Sequence, residues 1–499
     1  MVGNGVIGLS IAFELSRRAP DLRIVVIGPP DRPMAASAAA GAMLNCFGEV
    51  TPFTSHHPPS AAKFAIARAA LDTWPAWLDA LSDTADGTRA RRSLRPGTFV
   101  VLPSTAGTGT AAHFHAIEAA LRECAEPFDE VTPDAVEGLR PADHARPARI
   151  LYLRREGSID AREVLALLEQ AVRVNGVDIV PATVHELDTA GSRVRGVRLA
   201  GGESIAAPNV VLAAGSLAQD FLKQLPAGSI PPLLPSTGLA VQTHRKEFPG
   251  FTHVVRTPNA VGGCGTHLVP LAEHGHEYIG ATNTLHFQPS SGPNVGVTVS
   301  LLKDACEQFD HRIGLSQVTH WPTGRRPVAL DGFPLIGPVF SCTGLVLATG
   351  TYRDGFHSSP VIARHITDVL LNGDAKDPHF GRFAVERLPI QRTTVEESVD
   401  AFVRHEVDAS VASGLRLPYF LEPDTLTLRH RELAERIYAQ LSDPIALIPE
   451  VLDALAYRPD DGAHWLDEYL QAARRHHGTP PSTGGHAEST EPVSLIGDR

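Results

Sequence analysis

Three glycines near the start of the chain, Gly3, Gly5 and Gly8, stand in the pattern Gly-x-Gly-x-x-Gly and constrain the fold more than any other feature. In such a loop the first glycine makes a tight turn after a strand. The second lets the backbone approach a pyrophosphate, and the third lets the following helix pack close to the sheet. Val6, Leu9 and Phe13 recur behind the loop at helical spacing, so a helix N-terminus would aim its N–H groups at the phosphates. Residues 22–27 follow as an apolar run of strand length and complete a strand–helix–strand unit over residues 1–45. An ordinary glycine-rich turn is the plainer reading of the same pattern. Only Met1 and Val2 precede Gly3, so the first strand is expected to be a stub, or to be cut short by the position of Met1.

A chain of 499 residues exceeds what one compact core organises, so two or three domains are expected. The net charge of −12 argues against nucleic-acid binding. Lysine is rare (Lys63, Lys223, Lys246, Lys303 and Lys376), and with abundant Ala, Pro and Gly this reads as coding bias, not as a binding signal. The five cysteines, Cys46, Cys124, Cys264, Cys306 and Cys342, are dispersed with no CxxC pair. They suggest reduced thiols in a cytoplasmic setting and no zinc site. No apolar run of about eighteen residues predicts a membrane span, and the start lacks the basic-then-apolar pattern of a signal peptide.

Further along, helical patterns cover 61–81 and 110–124, separated by Gly/Pro breaks. Asp160 is a plausible N-cap for an amphipathic helix over 161–175, which Gly176 ends before a strand at 177–180. Residues 183–214 alternate strand and turn, 233–318 form a second strand-rich section, and 344–350 read as a buried strand followed by a helix over 358–371. The expected fold is α/β (α+β overall): a Rossmann-like domain from 1–45, 150–220 and 320–390, interleaved with a sheet-rich substrate domain from 46–149 and 221–319. A helical extension over 391–477 would include a helix at 424–441 with Leu428, Ala434, Ile437 and Leu441 near one face. It is read as an added, non-catalytic domain packed on the body or on a second subunit. Residues 478–499 read as a disordered tail.

Together, five blocks resemble the glycine oxidase and D-amino-acid oxidase family of FAD-dependent oxidoreductases over about residues 2–375. They are the glycine loop, the small-residue stretch 36–44, the Gly157-Ser158-Ile159-Asp160 segment, the run 211–215, and the pair 324–337 with 348–355. The resemblance implies non-covalent FAD, because no Cys sits in the 324–337 block. Its pyrophosphate would lie on Gly3, Gly5, Val6, Ile7 and Gly8. Ser37, Ala40, Gly41 and Met43 would pass beside the phosphates and the flavin, with small side chains because the backbone must lie against the cofactor. Ala214 and Gly215 belong to the matching 211–215 run, and Val184 would present a backbone edge to the adenine or else be a core strand residue. Gly350, Arg353, Asp354, Gly355 and Phe356 would follow the pyrimidine side of the flavin. Where the family commonly has an acid that bonds the ribose, this chain has Gly28; either Asp31 replaces it from a displaced loop or backbone alone holds the ribose.

The resemblance also implies catalytic positions. Arg326 would clamp a substrate carboxylate through its planar fork, with Arg353 nearby; a structural salt bridge is the plainer role for either. His267 stands where the family carries a tyrosine and could donate to a carboxylate, take a proton from a substrate ammonium, or tune for another substrate. His357 is a second histidine candidate near the flavin. The expected reaction is oxidation of the C–N bond of a small amino acid or amine to an imine, with O2 as acceptor and H2O2 as product. Two alternatives stay open: a flavin dehydrogenase with another acceptor, and a non-catalytic flavin protein. No nucleic acid or metal is expected, and a homo-oligomer is possible.

Overall fold

Two sheets with different connectivity divide the labour of this chain. The computed structural model describes residues 1–85, 93–259, 265–373, 377–412, 424–457 and 462–478. In the first sheet, strand Val25–Ile27 pairs in parallel with Asp178–Val180, and Val210–Leu212 pairs in parallel with Leu345–Thr349. Val2 joins the two pairs, bridging Ile27 on one side and Leu212 on the other. The expected stub is therefore a single residue in the middle of the sheet. Strand Leu335–Pro338 closes the edge antiparallel.

Helix Val6–Arg18 packs on Ala161–Val174 and Ser359–Asn372 over one face of this sheet. Leu9, Ile11 and Phe13 are fully buried there, and Phe13 meets Trp77 of helix Pro58–Thr84 edge to face. The opposite face is covered by the antiparallel strands Val184–Ala190, Arg193–Leu199 and Ser204–Ala206, whose Val194 and Val197 share a core with Val2, Ile27, Leu212 and Leu347. The N-cap of helix Ala161–Val174 forms as the sequence predicts: Asp160 accepts from the N–H groups of Arg162 and Glu163. Gly176 follows at φ +80°. Strand Val25–Ile27 is shorter than the apolar run suggests, and Leu22 at its start is half exposed.

The second sheet runs in the order Gln317–His320, Val241–His244, His276–Gly280, His267–Pro270, Val254–Arg256, Arg95–Pro103, Pro147–Ser158 and Met43–Leu44. Its pairings are antiparallel except Val254–Arg256 against Arg95–Pro103. Met43 and Leu44 pair with Ser158 and Gly157, so the small-residue stretch leads the chain from the first sheet into the second. A separate antiparallel trio sets Leu233–Leu239 between Thr284–Leu285 and Thr323–Ala329. That last strand carries Arg326.

The extension is helical over Val395–Ala412, Asp424–Tyr438, Pro449–Tyr457 and Gly462–His477. Thr394 and Glu397 form a capping box at its first helix. Its apolar face buries Val399, Phe402, Ala434, Ile437, Val451 and Leu466 against Leu234, Leu285 and Val328 of the trio and Leu330 just beyond it. Of the four residues expected on one face of the 424–441 helix, Leu428 is exposed; Ala434, Ile437 and Leu441 are buried. Ahead of the extension, Phe380 and Phe383 lie in the main core, and Arg387 pairs with the buried Asp331 at 3.0 Å. Cys264 and the expected tail beyond Gly478 lie outside the described residues.

Candidate active site

The glycine loop is tied down by its neighbours on both sides. Gly3 donates to the Ile27 carbonyl and Ala213 donates to the Val2 carbonyl, each at 2.8 Å. Gly3 sits at φ +112°, and a Cβ there would lie 2.3 Å from the Ala213 oxygen. A Cβ on Gly8 would lie 2.0 Å from the Gly3 oxygen. These two glycines thus perform the turn and the close helix packing that the motif predicts. Gly5 is the N-cap and offers no side chain, and no acid stands in the first helical turn. The helix N-terminus keeps its positive end for a ligand. The Val6 N–H reaches the Ser37 hydroxyl at 3.1 Å, which pins the small-residue stretch to the loop.

These elements open onto a cavity of about 570 Å³. Gly3, Gly5, Val6, Ile7, Ser37, Ala40, Gly41, Met43, Val184, Ala214, Gly215, Arg326, Arg353, Asp354, Gly355, Phe356 and His267 all line it. Gly8 and Gly350 do not: Gly8 lies behind the loop, and Gly350, at φ +71°, turns the chain beneath Thr349 and Thr351, which do line it. The cradle fits a dinucleotide, because a helix N-terminus with no acid in its first turn opens onto a cavity lined by the small residues Gly5, Ser37, Ala40, Gly41, Ala214 and Gly215. A Cβ on Gly41 would lie 2.7 Å from the Tyr278 ring.

The ribose end departs from the common arrangement. Gly28 is packed under the Asn4 side chain, where a Cβ would lie 2.4 Å from the amide. Asn4 in turn donates to the Pro29 carbonyl. Asp31 is exposed and is not part of the lining, so it does not take the place of the missing acid. Arg32 is drawn over the loop instead, donating to the Asn4 carbonyl at 2.9 Å and pairing with Glu169 at 2.5 Å.

At the far end, Arg326 donates from Nη1 to the Thr282 carbonyl at 3.0 Å and to Asn283 Oδ1 at 3.4 Å. Gly238 on the neighbouring strand makes room for it, since a Cβ there would lie 2.2 Å from the same nitrogen. Arg325 also lines the cavity but is bonded to the Ser290 carbonyl. His267 places Nδ1 3.1 Å from the Gly265 carbonyl, so that nitrogen carries the proton and Nε2 is left as an acceptor. Burial, with the Arg256 charge adding to it, lowers its pKa to about 4. Of the roles expected for His267, donation to a carboxylate fails on this tautomer. His357 is not at the cavity: its Nε2 meets the Ala67 carbonyl at 2.7 Å, and burial lowers its pKa. Asp354 pairs with Lys63 at 2.9 Å, and Phe356 stacks on Trp74.

A polar cluster that no sequence motif marks lies beside this end. Glu49 accepts from Arg256 Nη1 at 2.7 Å, Asn259 Nδ2 at 2.8 Å and Asn45 Nδ2 at 2.9 Å, with Arg353 Nη2 at 3.8 Å. Burial opposes its charge, but the two guanidinium groups and the Asn259 amide hold its carboxyl far below the usual range. The Arg256 side chain is 1% exposed and also donates to Asn259 Oδ1 and the Thr257 carbonyl. Behind them the buried Glu156 accepts from the N–H groups of Cys46, Phe47 and Gly48, and burial raises its pKa to about 7. One signal was available: Arg256 ends the apolar strand Val254–Arg256, and a cation placed in a core demands an anionic partner.

A parallel sheet with a glycine-loop helix N-terminus, opening onto a cavity with guanidinium groups at its other end, defines a dinucleotide-dependent enzyme class. Residues 1–369 match the FAD dependent oxidoreductase (DAO) family, and the chain belongs to that family. It is 33% identical over 181 residues to the glycine oxidase of Pseudomonas aeruginosa, a match that covers 36% of this chain and 46% of that enzyme. The chain thus spans about half the length of that curated relative. Its fold is similar to that of the glycine oxidase of Geobacillus kaustophilus, with a TM-score of 0.65 and 23% identity over 78% of this chain and 97% of that one. The iminodiacetate oxidase of Chelativorans sp. BNC1 is similar with a TM-score of 0.63 and 17% identity, over 77% and 98% of the two chains.

Proposed function

We propose that this chain oxidises the C–N bond of a small amino acid or amine to an imine, using non-covalently held FAD, with O2 as the final acceptor and H2O2 as product. The observation that carries this reading is the pairing of one cation and one neutral acceptor at the end of the cavity opposite the glycine loop. Arg326 offers a planar fork to a carboxylate. His267, neutral and with Nε2 unprotonated, accepts an N–H from the amine. At a pKa of about 4 the imidazole is too weak to take a proton from an ammonium several units more basic. The amine therefore loses its proton to solvent, and His267 holds the neutral form in place.

When bound, FAD supplies the two-electron acceptor that the substrate carbon requires. The residues of the chain bind, orient and exclude water. The loop Gly3–Gly8 and the Ser37–Met43 stretch would hold the pyrophosphate and its surroundings, Val184 would meet the adenine, and the Gly350–Phe356 segment would hold the flavin. Glu49, fixed by Arg256 and Asn259, sets the charge beside Arg353, so the net positive charge that greets a substrate carboxylate is moderated. No Cys is among the described lining residues, which supports a non-covalent cofactor.

The division into a cofactor body, an interleaved substrate domain and a helical extension is part of the same reading. So is a reducing, cytoplasmic setting, supported by described cysteines that form no disulfide. Among the described residues, no helix is long and apolar enough to cross a membrane. An oxygen electrode with the FAD-loaded protein and a panel of amino acids and amines tests the function. Oxygen uptake with peroxide release supports it. Flavin reduction by substrate without oxygen uptake would replace the acceptor, and no reduction by any amine would overturn the reading.

A further inference from the structure

Arg326 is not held by the family-matched region alone. Its Nη1 shares Asn283 Oδ1 with the Ser236 hydroxyl, which donates at 2.5 Å. Both groups are donors here, so Asn283 must turn its oxygen toward them and its Nδ2 the other way. That Nδ2 donates to the Tyr352 hydroxyl at 2.5 Å. The phenol oxygen is thereby an acceptor, and its own hydrogen goes to Glu450 Oε1 at 3.0 Å. A carboxylate accepts and cannot donate, so Glu450 takes the phenol hydrogen at one end of the row, while Arg326, always a donor, fixes the other end, and the two ends agree.

Glu450 lies in the first turn of helix Pro449–Tyr457, within the extension and outside residues 1–369. The extension does more than touch the phenol. It buries Tyr352 together with Val328 and Leu330, which follow Arg326 on and just beyond its own strand, and Leu285, two residues from Asn283. Tyr352 holds a left-handed backbone at φ +51°, costly for a residue with a side chain, directly before Arg353. Its N–H bond to the Pro327 carbonyl fixes the backbone, and the extension fixes the ring.

We propose that Glu450 is a positioning residue of the active site: through Tyr352 and Asn283 it orients the Arg326 guanidinium for the substrate carboxylate. The extension is then a working part of the oxidase and not an appended domain. This inference rests on the assignment of Arg326 as the carboxylate clamp.

The test uses the full-length, FAD-loaded protein and the amino acid that reduces it best. Glu450→Ala removes the acceptor and frees the phenol hydrogen to compete for Asn283, so KM should rise about fivefold with kcat changed less, the size of one lost hydrogen bond. Glu450→Gln keeps an oxygen that accepts the phenol hydrogen and should restore most of the affinity, which a merely structural role of the charge would not explain. Tyr352→Phe should match Glu450→Ala, and the double variant should be no worse than either alone, because both break one row. The flavin absorbance of each variant reports folding, and Glu450→Gln with Tyr352→Phe keep the test decisive should the alanine variant not fold. Unchanged KM in Glu450→Ala and Tyr352→Phe, with a raised KM in Arg326→Ala, would overturn the role of Glu450 and leave the clamp standing. Unchanged KM in Arg326→Ala would overturn the clamp itself, and the proposal with it.

Discussion

Replacing Arg326 by alanine is the perturbation with the clearest expected size. Its guanidinium is half-buried and already held by the Thr282 carbonyl and Asn283, so binding a carboxylate adds little ordering cost. Truncating one member of a buried, hydrogen-bonded charge pair costs about 2–5 kcal/mol, and the partial exposure places this case near the lower end. About 2 kcal/mol corresponds to a rise of about 30-fold in the half-saturating concentration of a carboxylate substrate. Arg326→Lys should recover little of it, because a point charge lacks the fork. Steady-state oxidation of an amino acid and of its decarboxylated amine, measured side by side, isolates the effect: the amine should be nearly indifferent to Arg326 and more sensitive to His267→Ala. A rise below about threefold for the carboxylate substrate, or an equal rise for both, would refute the assignment.

Burial raises the Glu156 pKa from the ordinary 4.5 to about 7, so between those values the folded chain keeps a proton that the unfolded chain has released. The contribution of this group to stability is therefore greatest below pH 4.5 and falls by about 3 kcal/mol as pH rises to 7. Glu156→Gln should flatten the urea midpoint over that range, and parallel profiles for the two proteins would contradict this. Acid precipitation should leave the yellow colour in the supernatant, whereas colour in the pellet would indicate a covalent flavin. Gly28→Ala forces a Cβ to within 2.4 Å of the Asn4 amide and should displace the glycine loop. Overpacking of about 1–3 kcal/mol predicts roughly tenfold weaker FAD binding in a fluorescence titration of the apoprotein, and an unchanged dissociation constant would show that Asn4 yields freely.

What could be read from the sequence was what local chemistry dictates. Gly3 and Gly8 have no room for a side chain, and that need is written in the motif. The helix after Asp160 was legible for the same reason, since its cap and its terminating Gly176 are neighbours in sequence. Glu49 and Arg256 were invisible as a pair because 207 residues separate them, and only the sheet that sets Met43–Leu44, Pro147–Ser158, Arg95–Pro103 and Val254–Arg256 side by side brings them together. The role of His267 also needed coordinates, as the bond to Gly265 decides which nitrogen carries the proton. The helical extension was recognisable from its periodicity, yet Leu428 was misplaced. The bond from Tyr352 to Glu450 was beyond reach, because it joins a loop inside the recognised motifs to a helix outside them.

Under the proposed function, an amino acid or amine would meet FAD between Arg326 and His267. Anaerobic titration of the purified, FAD-loaded protein with a panel of amino acids and amines tests it most directly. The flavin spectrum should bleach with at least one amino acid or amine, and with a carboxylate substrate Arg326→Ala should move the titration to higher concentration without changing the bound flavin. A folded protein that takes up FAD yet is bleached by no amine or amino acid would contradict it.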